Sequence, residues 1–498
     1  MTTNSRRPGL LCSARLNFAF LSFLGCVILY ASRSNLSFSL VCMVNNTALE
    51  LQNGPVNPLL TSKKNTECEI NTSDNQKSAD DKIDGDLLWP KSTQGMLLSA
   101  FFWGYTTSQI IGGYLATRYG GRIVVLVAAL ISALATLLST SAARWSVGMF
   151  VALRAILGAA QGAIFPALQT MWTYWAPPLE RSFLVSCSFA GAQIGNVLVL
   201  PLSGFLCKHA GYPSIFYSLG IGGLVWAVLW FYGAADSPKN HKRIKDEEKN
   251  YIIESLQDTV IDEDTRSSVP WIAVFKSKAV WACFIGHFCG DWGAYSMALS
   301  LPLYMNDVMG YDLTSLGFIA SIPYVFYFLM INVAGFVADY IRQKGLLSTL
   351  NTRRAAMVLA FGSQALFLVL IGTAQCGQQT LVIIYLTLGI GLSGIQFAGY
   401  PINYLDIAPK HVGPIFGVGN TISCFAGVLS PLVMSSLVRT GSSEEWQTFF
   451  GVTSAILVAG ALAFCLMADG EVQSWSNKNK NLPEKLENKH PEKENLMP

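Results

Sequence analysis

Two arginines and one aspartate stand where charge is expensive. Arg33 lies in Tyr30-Ala-Ser-Arg33-Ser-Asn35-Leu-Ser37, and Arg154 in Leu153-Arg154-Ala-Ile-Leu157-Gly158-Ala-Ala-Gln161-Gly162. Asp291 lies in Cys289-Gly290-Asp291-Trp292, and all three sit inside long apolar runs. A charged side chain at mid-bilayer costs roughly 2.5–3.5 kcal/mol on insertion scales, so such residues face a cavity or a partner. Guanidinium groups recognise carboxylates and phosphates with a planar fork of donors. Two of them against one acid leave positive charge that an anionic substrate could satisfy. The competing expectation is that Arg33 pairs with Asp291 while Arg154 snorkels outward.

Other side chains cluster with these in the sequence. On an ideal helix Gln161 lies about 20° from Arg154 and roughly 10 Å further along, so both would line one face. Pro166 is expected to bend that helix just beyond. Tyr30 precedes Arg33 by about one turn; Phe101, Phe102, Trp103 and Tyr105 form an aromatic run, and Tyr295 follows Asp291 by four residues. Aromatic walls with a few polar groups suit an organic solute. Gln193, Asn196, Asn403, Tyr404 and Asn420 could add hydrogen bonds, although joining helices is the ordinary role of such groups in membranes. His287, one turn before Asp291, joins it as a candidate coupling residue.

The elements that must position these residues follow from composition. Of 498 residues 51% are hydrophobic and 13% charged, against about 25% charged in average globular chains. That leaves too little charge to cover a soluble surface. A net charge of +3 gives no basis for nucleic-acid binding. Apolar runs of about 20 residues place twelve spans at 17–43, 92–116, 123–143, 147–172, 182–206, 213–234, 279–305, 312–338, 355–374, 380–404, 413–437 and 447–468. The expected fold is an all-α membrane protein of twelve transmembrane helices in two pseudo-symmetric six-helix halves. The N-terminal half covers 17–234 and the C-terminal half 279–468. A loop at 45–91, a linker at 235–278, an N-terminal segment at 1–16 and a tail at 469–498 complete the chain. Glycine-rich runs at Gly389-Ile-Gly391 and Gly417-Val-Gly419 fit the broken helices of transporters and also fit tight helix packing.

With the N-terminus cytoplasmic, 24 of the 34 Lys and Arg fall on the cytoplasmic side and 8 on the other, as the positive-inside bias requires. The glycosylation sequons at Asn45 and Asn71 then lie on the exterior or lumenal side; a third, at Asn35, is inside a helix. The linker and both termini are cytoplasmic in this arrangement. Eleven cysteines, scattered and without a CxxC, encode neither a disulfide framework nor a zinc site. Spacing gives no support to a bond between Cys42 and Cys68, the cysteine in the polar loop. Five histidines without HExxH or GxSxG make the chain a poor enzyme, and no cofactor or metal is expected.

A weak repeat links the halves: Gly113-Tyr-Leu-Ala-Thr117-Arg118-Tyr-Gly120-Gly121-Arg122 and Gly335-Phe-Val-Ala-Asp339-Tyr-Ile-Arg342 occupy equivalent places. It resembles the loop signature of the major facilitator superfamily, with Thr117 where that signature usually has Asp. Several further runs are similar to the solute carrier family 17 anion transporters: the Tyr30 to Ser37 run, Trp175-Ala-Pro-Pro-Leu-Glu180-Arg181-Ser, Phe189-Ala-Gly-Ala-Gln193-Ile-Gly, Pro201-Leu-Ser-Gly, Asn403-Tyr-Leu-Asp406-Ile-Ala-Pro409 and Gly470-Glu-Val-Gln-Ser-Trp475. Within the family the chain is most similar to the sialin-like lysosomal sialic-acid carriers. The resemblance runs from Cys12 to about Trp475.

The resemblance implies two halves rocking about a central site and carriage of organic anions: sialic acid, acidic sugars, acidic amino acids, or urate. It assigns anion binding to Arg33 and Arg154 and substrate lining to Tyr30, the Phe101 to Tyr105 cluster and Tyr295. It also exposes departures. Where sialin-like carriers have two acids and a histidine associated with proton coupling, this chain has Leu157, Gln161 and Gln169. None exchanges a proton near neutrality. The alternative is a voltage-driven or sodium-linked phosphate- or urate-type transporter; a non-transporting anion receptor on the same fold is a further one. A co-transported H+ or Na+ stays open, with Asp291 as a substitute carboxylate or a structural partner. The family's acidic-dileucine sorting signal is altered at Leu10-Leu11, where Arg6 replaces the acid, and approximated at Glu492 to Met497. The compartment is therefore a lysosomal or vesicular membrane or the plasma membrane. A monomer that meets a small anion and the bilayer is the expected assembly.

Overall fold

The computed structural model describes residues 8–45, 85–256, 269–308, 321–374, 378–439 and 442–476. Among these residues the regular structure is helical, with one isolated backbone bridge between Val44 and Leu87. Twelve long helices carry the fold. In the first half they are α1 (Ala14–Met43), α2 (Lys91–Tyr119), α3 (Gly121–Trp145), α4 (Val147–Trp175), α5 (Arg181–Ala210) and α6 (Tyr212–Gly233). In the second they are α7 (Lys278–Asp307), α8 (Ile322–Gln343), α9 (Thr349–Gly372), α10 (Gln379–Ile407), α11 (Val412–Leu437) and α12 (Ser443–Met467).

Ten of these are long and apolar enough to span a bilayer by length and composition. The other two, α2 and α7, have 29 and 30 residues, about 45 Å of helix. The expected start of the eighth span, at 312, lies outside the described residues.

Helix ends follow their sequence signals. Ser13, Ser146 and Ser348 each accept an amide hydrogen bond at the start of α1, α4 and α9, the ordinary use of serine at an N-cap. Gly120, between α2 and α3, has φ 95°, a conformation that favours glycine. The helix of α4 breaks at Ala163, three residues before Pro166. The expected breaks at the two glycine runs are displaced or missing. In α10 the α-helix persists to Ser393 and gives way to a 3₁₀ turn at Gly394–Ala398. Helix α11 runs unbroken through Gly417 and Gly419; Gly417 there serves close packing against the backbone of Gln109.

The cysteine expectation needs correction. Cys42, at the end of α1, is bonded to Cys207, near the end of α5. The two are 165 positions apart, a pairing that no local spacing could have signalled.

At the opposite end, where the linker attaches, charged groups lock the helices. Arg15 is fully buried, with Nε 2.6 Å from Glu180 and Nη1 2.9 Å from Glu248. Glu248, on the linker helix Asp246–Leu256, also accepts the amides of Ala14 and Arg15, an acid at a helix N-terminus as the helix dipole favours. Asp406 at the end of α10 accepts from Arg353 Nε at 2.8 Å and from Arg181 Nη1 at 3.1 Å, all buried. Asp339 at the end of α8 accepts the amides of Ser182 and Phe183 at the start of α5. These contacts join the first half to the second and close the linker end.

Candidate functional site

The site is built from α1, α2, α4, α5, α7, α10 and α11. Close helix approach comes first, because bilayer packing rewards small residues at contacts. On α4, Gly158 lies against the carbonyl of Phe101 so tightly that an added Cβ would overlap it. This contact holds the aromatic face of α2 beside Arg154.

Arg33 occupies the centre of that arrangement. Its guanidinium carbon lies 4.9 Å from the ring centre of Phe102, 5.1 Å from Phe101, 5.3 Å from Tyr105, 5.5 Å from Tyr30 and 6.0 Å from Tyr295. Its Nη2 donates to the Tyr295 hydroxyl at 3.1 Å. Ring faces attract a cation by about 0.5–2 kcal/mol each, so the cage holds Arg33 without neutralising it. Among the described residues no carboxylate lies within ion-pair distance of it. The expected alternative pairing of Arg33 with Asp291 is therefore absent from this structure.

Arg154 does not snorkel outward. It is buried, donating to the carbonyls of Arg33 at 3.1 Å and Ser32 at 3.5 Å, while its Nε has no hydrogen-bond partner. It also lies 5.8 Å from the Phe101 ring centre, so both guanidiniums share that ring. Gln161 turns to the same turn of α1, donating to Ser32 Oγ at 3.0 Å. The structure thus brings Arg33, Arg154, Gln161, Tyr30, Phe101, Phe102, Tyr105 and Tyr295 together.

Between the halves lies a cavity of about 80 Å³, with Tyr30, Tyr105, Phe165 and Phe189 on one side and His287, Asp291, Tyr295, Phe397, Tyr400, Pro401, Phe416 and Asn420 on the other. At about 10–15 Å³ per water, it is a space for a few waters rather than a sugar acid. Binding an organic anion requires the halves to part. Asp291 Oδ2 accepts from Ser423 Oγ at 2.6 Å, with His287 Nε2 at 3.9 Å. His287 is buried and stacks on Tyr400 at 4.7 Å.

Other expected residues lie elsewhere. Asn403 is fully buried and donates to Cys283 Sγ at 3.3 Å, away from the cavity. Trp103 is 53% exposed on the outer surface, one residue off the inward face of α2. Gln169 faces the carbonyl of Pro401 at the helix break. Asn45 pairs its backbone N–H with Leu87, and Asn71 lies outside the described residues. Phe165, Phe189, Tyr400, Phe416 and Ser423 were not among the expected site residues. The sequence reading also missed the role of Arg181, Asp339, Arg353 and Asp406; two buried acids with two buried arginines near helix ends were the available signal.

The Major Facilitator Superfamily profile matches residues 22–431. The Caenorhabditis elegans protein named uncharacterized transporter slc-17.2 is 50% identical over 475 residues, covering 94% of each chain. Human sialin is 39% identical, covering 93% of this chain and 91% of its own. The chain is a solute carrier 17 member of the major facilitator superfamily. Its fold is similar to that of the proton:xylose symporter XylE, with a TM-score of 0.65 at 15% identity over 92% of this chain and 97% of that one. This solute carrier 17 protein is accordingly a multi-pass membrane transporter of small molecules and not an enzyme.

Proposed function

We propose that this solute carrier 17 protein is a secondary-active transporter of organic anions, with sialic acid, acidic sugars and acidic amino acids as the leading substrates. One observation carries the reading: Arg33 is held by aromatic rings from both halves while no described carboxylate neutralises it. The guanidiniums of Arg33 and Arg154 take the anionic group, and Tyr30, Phe101, Phe102, Tyr105 and Tyr295 select the organic body. Gln161 sets the adjoining turn of α1. Asn403 contributes by supporting α10 against α7.

The closure at the linker end bears on alternating access. The linker end is shut by Arg181, Asp339, Arg353 and Asp406, so exchange with that side requires those contacts to open. The halves then rock about the site. We place the linker and both termini in the cytoplasm. The Cys42–Cys207 bond supports this, since it lies at the Asn45 end and disulfides persist in oxidising compartments. The membrane is lysosomal, vesicular or plasma, and the carrier acts as a monomer.

The test is uptake of labelled sialic acid, glutamate, urate and phosphate by the purified protein in liposomes. Saturable uptake of a carboxylate is expected. Uptake of phosphate or urate alone, driven by potential or sodium, would favour the phosphate-type alternative. Binding without flux would make the protein a receptor.

A further inference from the structure

Among the described residues, Asp291 is the one carboxyl group on the wall of the central cavity. His287, Asp291 and Tyr295 follow at intervals of four along α7, which places them on one helical stripe, and all three line that cavity. The stripe ends at the Tyr295 hydroxyl that accepts from Arg33. Asp291 also reaches across to Ser423 of α11, whose hydroxyl donates to Oδ2 at 2.6 Å. Its side chain retains 27% exposure, so a proton can arrive and leave through water in the cavity.

We propose that Asp291 binds the proton that travels with the substrate anion, a coupling carboxylate placed in the second half. The proposal rests on the anion-carrier reading above. An ionised Asp291 and a bound anion are two negative charges in one cavity, both in the field of Arg33, and like charges in a poorly solvated space disfavour one another. A proton taken from water on one side neutralises the carboxylate and leaves the Arg33 charge to the substrate. After the halves rock, the proton returns to water on the other side, and the ionised carboxylate weakens the grip on the anion. One monoanion and one proton then move together without net charge.

The neighbours leave this task to Asp291. Arg33 stays charged throughout. Tyr30, Tyr105, Tyr295, Tyr327, Tyr400, Tyr404 and Cys424 lie around Asp291 on α1, α2, α7, α8, α10 and α11. Phenols and thiols ordinarily titrate above physiological pH. Against Gly286 and Gly293 of α7, α9 and α12 place Met357, Gln364 and Phe464, none of which titrates. His287 ordinarily titrates near neutrality, but it is buried with Nδ1 lacking any partner, and an imidazolium there would leave a charged donor unsatisfied. A sodium ion at Ser423 and Asp291 would sit in the field of Arg33, which disfavours a second cation.

The experiment is accumulation of labelled sialic acid and of labelled glutamate in liposomes carrying the full chain. A pH gradient is imposed with the membrane potential clamped. The wild type should accumulate at least one of them at least tenfold over a no-gradient control. Asp291→Asn should lose that accumulation while still exchanging internal for external anion, and its net flux should become sensitive to potential. Asp291→Glu should restore pH-driven accumulation. The proposal is overturned if wild-type flux ignores the pH gradient or follows sodium. It is equally overturned if Asp291→Asn accumulates like the wild type, or if Asp291→Glu folds but stays as defective as Asn. No flux of either anion by the wild type would instead defeat the anion-carrier reading, and this proposal with it.

Discussion

Arg33 donates a hydrogen bond to Tyr295 at 3.1 Å, and that bond joins the first helix of one half to the first helix of the other. It makes the charge at the centre of the molecule part of the contact that must change when the halves rock. The guanidinium gains a single neutral acceptor from it, so an anion offering two oxygens is a better partner.

Substitutions at this pair should separate charge geometry from the cross-half contact. Arg33→Lys keeps the charge but loses the planar fork; uptake efficiency should fall at least about tenfold, or about 1.4 kcal/mol. Tyr295→Phe removes one hydrogen bond from a charged donor, a contact of about 1.5–3 kcal/mol, and should cost at least about tenfold while leaving the guanidinium in place. Initial rates over a range of substrate concentration check both. A Lys variant as active as wild type would show that the fork is not used.

Asp406 should govern the linker-end closure. Asp406→Asn leaves the buried guanidiniums of Arg181 and Arg353 without their carboxylate, and breaking a buried pair costs on the order of 3–5 kcal/mol. The loss falls on the closed state, so the population shifts toward opening at that end. Thr170, buried where α4 meets Gly413 of α11, reports it. A thiol in the Thr170→Cys variant should label several-fold faster when Asp406→Asn is added.

Much of the fold was legible because lipid imposes a simple rule. A span needs about 20 apolar residues, and the expected limits of α3, α5, α6 and α11 fall within a few residues of the observed ones. The cost of buried charge likewise singled out Arg33 and Arg154. What the sequence did not show were facts of rotation and distance. Trp103 and Phe102 are neighbours in the chain, yet one faces outward and the other faces Arg33. Cys42 finds Cys207 only because α1 packs along α5. Asp339 and Asp406 read as ordinary charges at helix ends, since their partners lie 157 and 225 positions away along the chain.

Gly158 should be intolerant of side chains. A Cβ there overlaps the Phe101 carbonyl, so Gly158→Leu must push α2 from α4 and displace the ring that Arg33 and Arg154 share. Thermal stability in detergent should drop by roughly 1–3 kcal/mol equivalent, the usual cost of overpacking. Saturable uptake should fall further than stability alone explains, as seen by normalising flux to folded protein.

Orientation has a direct chemical readout. The Asn45 sequon adjoins the Cys42 end of α1, and Asn71 belongs to the same loop. Replacing both with Gln should abolish the glycan mobility shift of protein made in a glycosylating cell. A shift that survives would come from another asparagine and would remove this support for the proposed orientation.

The central claim is that Arg33 and Arg154 bind the anion. Its most direct measurement is counterflow of labelled sialic acid and glutamate in liposomes, which reports substrate movement through the site without any driving gradient. Wild type, Arg33→Ala and Arg154→Ala would be compared at matched amounts of folded protein. The account predicts robust counterflow by the wild type and loss of at least about tenfold in each variant, the factor that corresponds to 1.4 kcal/mol of lost binding. Near-normal counterflow by both variants would contradict it.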